Sequence, residues 1–396
     1  MKSRDLAFTS RAFLCGAALS LPASAQPSGV ADEDPSDPSD DFSLQSSDSQ
    51  EAPSLPANPS PEQWRAAIAR TPLPKGGCFQ ASHPDLVWRE VPCVTAPSHE
   101  IGTPPGLPPS SKARQSAVPQ SVGNGTTLKL RTNAITGING TFPTVTGVTS
   151  ESDGTANSFS LQINSNTFST WKCSSFGGGP NCVGWQQFVF ENNGSAAWVY
   201  MQYWLIGFGV GPCPTGGTVI YQHSTQIPTA CFGDSAKTSV PVQTINSSAA
   251  LASLALGGAV GAGLDTASVA VGSTAYSANG SSSELNLSNN WNEAEFNLFG
   301  DGGGKTATFN GGAAGVTVGI NMAVAHGGST AAAPVCGTGG IATAEQNNLT
   351  LVPGSCCPYR GVGSTPGLTF LETSSTGVRA PFCLITQFDS VVSGLR

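Results

Sequence analysis

Two aromatic runs joined by a short turn decide the fold, and they read Trp185-Gln-Gln-Phe-Val-Phe190 and Ala197-Trp-Val-Tyr-Met-Gln-Tyr-Trp-Leu205. Aromatic and β-branched residues favour strands, and Asn192-Asn193-Gly194 between the runs is a turn signal, so this stretch predicts a β-hairpin. Short alternating runs continue from residue 121, without an amphipathic helix longer than two turns. We therefore predict an all-β domain over residues 120–396, a two-sheet antiparallel β-sandwich of jelly-roll or concanavalin-like type that disulfides stabilise.

The composition agrees with this fold class. Of the 396 residues, 48 are Gly and 29 are Pro, whereas only 11% are charged, which excludes a coiled coil or a helical bundle. The formal net charge of −8 excludes a strongly basic protein, so we expect no nucleic-acid partner.

The first 25 residues have the layout of a secretory signal peptide. Lys2, Arg4 and Arg11 precede an apolar run over 12–21, and Ala23-Ser24-Ala25 follows, which predicts cleavage after Ala25. An apolar run of this length is far shorter than the ~20 residues that cross a bilayer. We therefore expect a secreted protein, extracellular or periplasmic, with no membrane span in the mature chain.

Two segments precede the predicted sandwich. Residues 26–60 carry eight acidic side chains and no basic ones, so we expect them to be disordered. Residues 61–119 are expected to begin with a short helix capped by Ser60 and to form a small module with Cys78 and Cys93, followed by a Pro-rich connector. This module is either a structural clip or a pro-segment that covers a cleft until it is cleaved near Lys112 or Arg114.

Ten cysteines remain once the signal peptide is removed, an even number that predicts a fully disulfide-bonded exported protein. Neighbouring cysteines suggest the pairs Cys78–Cys93, Cys173–Cys182 and Cys213–Cys231, with the last four cysteines paired among themselves. No C-x-x-C pair occurs and the four histidines are scattered, so we predict neither a metal site nor a cofactor.

One constellation in the hairpin has the groups of a binding or catalytic site. Gln186 and Gln202 lie on consecutive strands, and their equal parity predicts that both amides lie on one face. Aromatic side chains surround them: Trp185, Trp198, Tyr200, Tyr203 and Trp204. Aromatic walls with a few amides form a substrate cleft or a platform on which sugars stack. The alternative is that the aromatics belong to the core and the glutamines face solvent.

The order of several motifs resembles that of the eqolisin-type glutamic peptidases. The motifs are TFPTVTG at 141–147, SFSLQIN at 158–164, WQQ at 185–187, YMQYW at 200–204 and AEF at 294–296. More distantly, Gly184-Trp185 and the strand after it are similar to the neprosin-like peptidases. The likeness covers residues 120 to 325, about half of the chain.

The resemblance implies a sandwich of two bent sheets with a catalytic Gln and Glu on its concave face, the Glu activating water and the amide stabilising the oxyanion. It places Gln186 at the catalytic Gln and Gln202 at a supporting Glu. Phe299 stands at the position of the catalytic Glu. Glu295 and Asp301 have the parity of Phe299, so a bulge or a shifted register would bring one of them opposite Gln186; Glu295 is our candidate base.

The sequence therefore predicts a secreted hydrolase of glutamic-peptidase type, an acid endopeptidase, or a relative that kept the fold without the chemistry. In both readings Trp185, Trp198, Tyr200 and Trp204 would bind the ligand. The alternative function is an extracellular, non-catalytic sandwich protein that binds carbohydrate or another polymer through these rings. The expected partner is an extracellular polypeptide or polysaccharide.

Overall fold

The computed structural model describes residues 58–96, 98–102, 126–131, 134–215, 218–261, 263–327, 333–338, 346–360 and 365–378. The predicted signal peptide, nearly all of the acidic segment, Lys112, Arg114 and Cys383 lie outside these residues. Over the described ranges, no helix is both long enough and apolar enough to cross a membrane.

The helices are short. They are α1 (Pro61–Ile68), α2 (Trp171–Ser175), α3 (Ser248–Ala252) and two 3₁₀ turns, Leu287–Asn289 and Asn310–Gly312. Helix α1 begins with the capping box that the sequence predicts: Ser60 Oγ accepts from the Gln63 N–H at 3.2 Å, and Gln63 Oε1 accepts from the Ser60 N–H at 2.9 Å.

Nearly all of the described strands belong to two large antiparallel sheets, and the strands are numbered here in chain order. The first sheet contains β1 (Cys78–Ser82), β2 (Arg89–Val91), β4 (Ile135–Thr146), β12 (Leu254–Val260), β13 (Leu264–Val271), β14 (Thr274–Ser281), β17 (Thr317–His326), β20 (Thr350–Leu351), β21 (Cys357–Arg360) and β22 (Pro366–Thr373). Its order is β2-β1-β14-β13-β12-β4-β17-β22-β20, and β21 also pairs with β22.

The second sheet contains β3 (Thr126–Lys129), β6 (Ser158–Ser165), β7 (Val183–Asn193), β8 (Ala197–Ile206), β9 (Gln222–His223), β10 (Cys231–Asp234), β11 (Thr238–Val240), β15 (Glu293–Gly300) and β18 (Val335–Thr338). Its order is β18-β3-β15-β6-β7-β8-β10-β9, and β11 also pairs with β8. A small third sheet has the order β19-β16-β5, from β5 (Glu151–Ser152), β16 (Thr306–Phe309) and β19 (Gln346–Asn347).

The two large sheets pack face to face, and the main hydrophobic core lies between them. Phe188 and Met201 of the second sheet and Leu256 of the first belong to this core. The sheets approach closely because Gly258 has no side chain: a Cβ there would lie 2.6 Å from the ring of Phe188. The prediction of an all-β sandwich is therefore confirmed.

The segment expected as a small N-terminal module belongs to the sandwich. Strand β1 pairs with β14 along its whole length, from Cys78 opposite Ala278 to Ser82 opposite Thr274. Trp64 of α1 packs with the neighbouring side chains on the face of the first sheet that points away from the main core. Local sequence does not reveal this, because Ala278, the β14 partner of Cys78, lies 200 residues further along the chain.

The disulfide bonds confirm the prediction that cysteines close in sequence pair with each other. Three bonds are the predicted ones: Cys78–Cys93, Cys173–Cys182 and Cys213–Cys231. Cys336 pairs with Cys356, both among the last four cysteines. Cys357 is also disulfide-bonded.

Candidate functional site

The register of the β7–β8 hairpin decides which side chains share a face. Gln187 lies directly opposite Gln202. Gln186 lies opposite Tyr203, whose ring belongs to the core between the sheets. The hairpin closes through a two-residue turn, Gly194–Ser195, so residues of opposite parity face each other. The prediction that Gln186 and Gln202 share a face is therefore wrong, and Gln187 occupies the expected position.

Gln186 points between the sheets, where its Nε2 donates to Asp265 Oδ2 at 2.9 Å. Burial raises the pKa of Asp265 to about 6, against the opposing effects of the hydrogen bonds from Gln186 and the Gly261 N–H. Among the described residues, Gln186 Oε1 and Asp265 Oδ1 have no hydrogen-bond partner. Protonation of Asp265 turns one of these acceptors into a donor, so the pair is best satisfied as a neutral acid with an amide. Gln186 is thus directed away from any ligand on the outside.

Gln187 belongs to a row of polar side chains on the outer face of the second sheet, the face that points away from the core. The row crosses five strands in the order Glu295, Asn164, Gln187, Gln202 and Asp234. Glu295 and Gln202 therefore share a face, but three strand spacings separate them, about 14 Å. That distance is too long for both to act on one peptide bond.

Hydrogen bonds fix the amides of this row. Asn164 Nδ2 donates to Glu295 Oε2 at 3.0 Å, and Gln187 Nε2 donates to Asn164 Oδ1 at 3.0 Å. Trp204 Nε1 lies 3.0 Å from the Oε1 atoms of both Gln187 and Gln202. Because their partners are other side chains of the protein, Asn164 and Gln187 serve to position the row.

The four aromatic side chains predicted to bind the ligand all lie on this outer face. Trp185 and Trp204 are fully buried with their ring centroids 6.0 Å apart, Tyr200 is fully buried, and Trp198 is partly buried. They lie outside the core between the sheets, in which Tyr203 alone of the five aromatics takes part. The alternative interpretation is thus correct that Trp185, Tyr200 and Trp204 are buried, although in smaller clusters than the main core, and wrong that the glutamines face solvent, because Gln186 and Gln202 are fully buried.

Residues 98–102 lie across the outer face and bury it. Gln202 binds their main chain at two points: its Nε2 donates to the carbonyl of His99 at 2.8 Å, and its Oε1 accepts from the N–H of Ile101 at 2.9 Å. The side-chain amide thus contacts alternate residues of the segment, as a neighbouring β-strand does. The contact is to main-chain atoms, so it fits any extended polypeptide.

The segment lies in a groove, by which we mean the outer face of β7 and β8 between the 300–305 turn and the 222–225 loop. At the floor, Ile101 is fully buried against Val189 and Tyr200. At one wall, Gly302 has a φ of +72°, and a Cβ there would lie 2.5 Å from the carbonyl oxygen of Glu100. A glycine is therefore required for this wall to close over the segment.

His99 places its imidazole between two carboxylates. Its Nδ1 lies 3.5 Å from Glu191 Oε1, and its Nε2 lies 3.6 Å from Asp301 Oδ1. The ligating atoms of the three side chains lie within 4.8 Å of one another, a spacing at which a metal ion could also bind. Each ring nitrogen faces a different carboxylate, so the arrangement fits an imidazolium held by two anions better than a metal ligand.

The charges of the groove alter the protonation of these groups. Burial lowers the pKa of His99, but the hydrogen bond to Asp301 and the charge of Glu191 outweigh it and leave this pKa raised. Burial raises the pKa of Glu191, although His99 and Lys237 oppose it. The carboxyl of Glu191 therefore keeps its proton to a higher pH than an ordinary glutamate does.

Glu191 has two further partners. Tyr200 Oη donates to its Oε2 at 2.6 Å, and Lys237 Nζ lies 3.9 Å from the same oxygen. Lys237 is buried, lies 2.9 Å from Asp234 Oδ2 and sits 3.9 Å from the ring centroid of Tyr200. A buried cation therefore lies beside the carboxylates and reduces their mutual repulsion.

A third carboxyl lies next to Asp301. Glu151 is 2% exposed, and burial, followed by the charges of Asp153 and Asp301, raises its pKa to about 9. It is therefore protonated in acid and at neutral pH, so it adds no negative charge beside Asp301 there.

The sequence analysis did not predict Glu191 or His99 as members of this site, and it gave Asp301 only as the alternative to Glu295. Glu191 directly follows the first aromatic run, is the one acidic residue of β7 and has the parity of Gln187, so a correct register would have revealed it. His99 stands in a Pro-rich stretch without a pattern that predicts a contact.

Comparisons with family models, with curated protein sequences and with solved structures give no match to this chain. The likeness to the glutamic peptidases therefore remains a prediction from the motifs.

Proposed function

We propose that this protein is an exported acid endopeptidase whose groove is occupied by its own residues 98–102. One observation carries the proposal: a segment of polypeptide is held through its main chain by Gln202, beside the neighbouring carboxylates of Glu191 and Asp301. Polypeptide is favoured over polysaccharide because Gln202 binds a peptide carbonyl, that of His99, and a peptide N–H, that of Ile101.

The carboxyl pair has the groups that hydrolysis needs. Asp301, as the base, removes a proton from water, and the water oxygen attacks the carbonyl carbon of the peptide bond. Glu191, the acid with the raised pKa, gives a proton to the amide nitrogen as the C–N bond breaks. One water is consumed, and a carboxyl and an amine are formed.

His99 blocks this pair while the segment is in place, so activity requires that the segment leave. The ion pair between His99 and Glu191 needs an ionised carboxylate, and it weakens as the pH falls through the raised pKa of Glu191. Acid thus opens the groove and supplies the protonated Glu191. Lys112 and Arg114, the candidate cleavage positions, follow the segment in the sequence.

The test is cleavage of a denatured protein by the purified chain at about pH 4. Glu191→Gln keeps the shape of the side chain and should lower the rate by about 100-fold or more, because it removes the acid. Asp85→Asn, a change at an exposed carboxylate of the β1–β2 loop, is the matched control and should leave the rate unchanged. An undiminished rate in Glu191→Gln would refute the mechanism.

A polypeptide-binding protein without turnover is the second candidate. Lys237 favours it, because an ammonium 2.9 Å from Asp234 and 3.9 Å from Glu191 also suits carboxylates that remain ionised as part of a structural network. This candidate predicts peptide binding at pH 4 with no cleavage, including in His99→Ala, where the block is removed.

A further inference from the structure

The side chain of Glu100 enters a pocket of its own at the edge of the groove. Ser224 Oγ donates to its Oε2 at 3.0 Å, Thr225 Oγ1 donates to its Oε1 at 2.9 Å, and the Thr225 N–H donates to the same Oε1. Glu100 is 6% exposed. Three donors therefore converge on one buried carboxylate.

The hydroxyl of Ser224 can act only as a donor toward a ligand. Its Oγ already accepts from the N–H groups of Gln226 at 3.2 Å and Ile227 at 2.8 Å. A hydroxyl oxygen has two lone pairs and one proton, so only the proton remains for a ligand. The amide of a Gln side chain would turn an NH₂ group toward one of these donors, whereas both oxygens of a carboxylate accept.

Attraction to a positive charge does not explain why the pocket holds the carboxylate of Glu100. Across the described ranges, no Lys or Arg forms an ion pair with Glu100, and the groove beside it contains Glu191, Asp234 and Asp301. A carboxylate is thus held in an acidic neighbourhood by neutral hydrogen-bond donors. Such an arrangement selects by geometry, and it penalises a ligand that leaves a donor unpaired.

We propose that Ser224 and Thr225 form a subsite that selects a glutamate side chain in the extended polypeptides that the groove binds. Glu100 occupies this subsite in the structure, one residue before Ile101, whose N–H binds Gln202. The inference rests on the peptide-binding part of the proposed function and is independent of hydrolysis. It assigns the preferred substrate or ligand class: chains with Glu directly before an apolar residue.

The experiment uses the full chain with Glu100→Gln, which weakens the hold on its own segment. Fluorescently labelled Ser-His-Glu-Ile-Gly and Ser-His-Gln-Ile-Gly are titrated against it by anisotropy. We expect the Glu peptide to bind at least about tenfold more tightly. Adding Thr225→Val, which removes the hydroxyl and keeps the shape, should reduce the preference to about threefold or less. Adding Ser174→Ala, an exposed hydroxyl on α2, should leave it intact.

Three results would overturn the subsite: equal affinity for the two peptides, a preference that survives both Thr225→Val and Ser224→Ala, or no binding of either peptide. Ser224→Ala also removes an acceptor inside the loop, so Thr225→Val decides the case if that variant fails to fold. Selective binding without cleavage would refute the endopeptidase and keep the subsite. Cleavage without a preference for Glu would refute the subsite and keep the endopeptidase.

Discussion

Gln186 and Gln187 are neighbours in the chain and both are fully buried, yet they lie on opposite faces of the same strand. Between the sheets, Gln186 donates to the carboxyl of Asp265, and one oxygen of each side chain has no donor among the residues that the structure describes. On the outer face, Gln187 belongs to a hydrogen-bonded row that also contains Gln202, which lies in the groove. Burial alone therefore does not distinguish a structural amide from one at a binding site; the partners do.

The largest expected effect on kcat/KM comes from replacing a glutamine of the outer face rather than one of the inner face. Gln202→Leu removes both main-chain contacts of the groove and should lower kcat/KM for a denatured protein by about 100-fold. Gln186→Leu, a change of similar size on the inner face, should leave kcat/KM within about twofold. Equal losses in the two variants would show that the outer row has no special part in binding.

The inner face should instead affect how the free energy of unfolding varies with pH. The pKa of Asp265 is raised from 3.8 to about 6, so its contribution to stability is fully present below about pH 4 and is lost as the pH rises through 6. Asp265→Asn keeps a neutral partner for Gln186 and should raise the free energy of unfolding at pH 7 by on the order of 2 kcal/mol. Urea unfolding at pH 4 and pH 7 measures this, and a destabilised variant at pH 7 would contradict it.

The effect of His99 on the cleavage rate should depend on pH. The raised pKa of His99 keeps its imidazolium, and with it the block, up to a higher pH, whereas protonation of Glu191 weakens the ion pair in acid. His99→Ala should therefore raise the cleavage rate about tenfold near pH 6 and have little effect near pH 3.5. A ratio that does not vary with pH would argue against this block.

The smallest effect is expected at Glu295. It lies on the outer face but far along the row from Gln202, with Asn164 as its hydrogen-bond partner. Glu295→Gln should change kcat/KM by no more than about threefold. A loss comparable to that of Gln202→Leu would restore Glu295 as the base.

Local features of the sequence were predictable, and non-local ones were not. The capping box at Ser60 and three disulfides follow from residues that are close in sequence. The sandwich follows from many alternating runs. The face of Gln186 depended on whether the hairpin turn has two residues or three, a difference that inverts every side chain of a strand. The segment at His99 has too few residues to show a periodic pattern, and its contacts lie about 100 residues away along the chain.

The proposed cleavage of polypeptide by Asp301 and Glu191 is tested most directly by the rate at which Asp301→Asn cleaves a denatured protein at about pH 4. We expect a rate at least about 100-fold below that of the unchanged chain, because the base is lost. A rate equal to that of the unchanged chain would show that Asp301 is not the base of a peptidase.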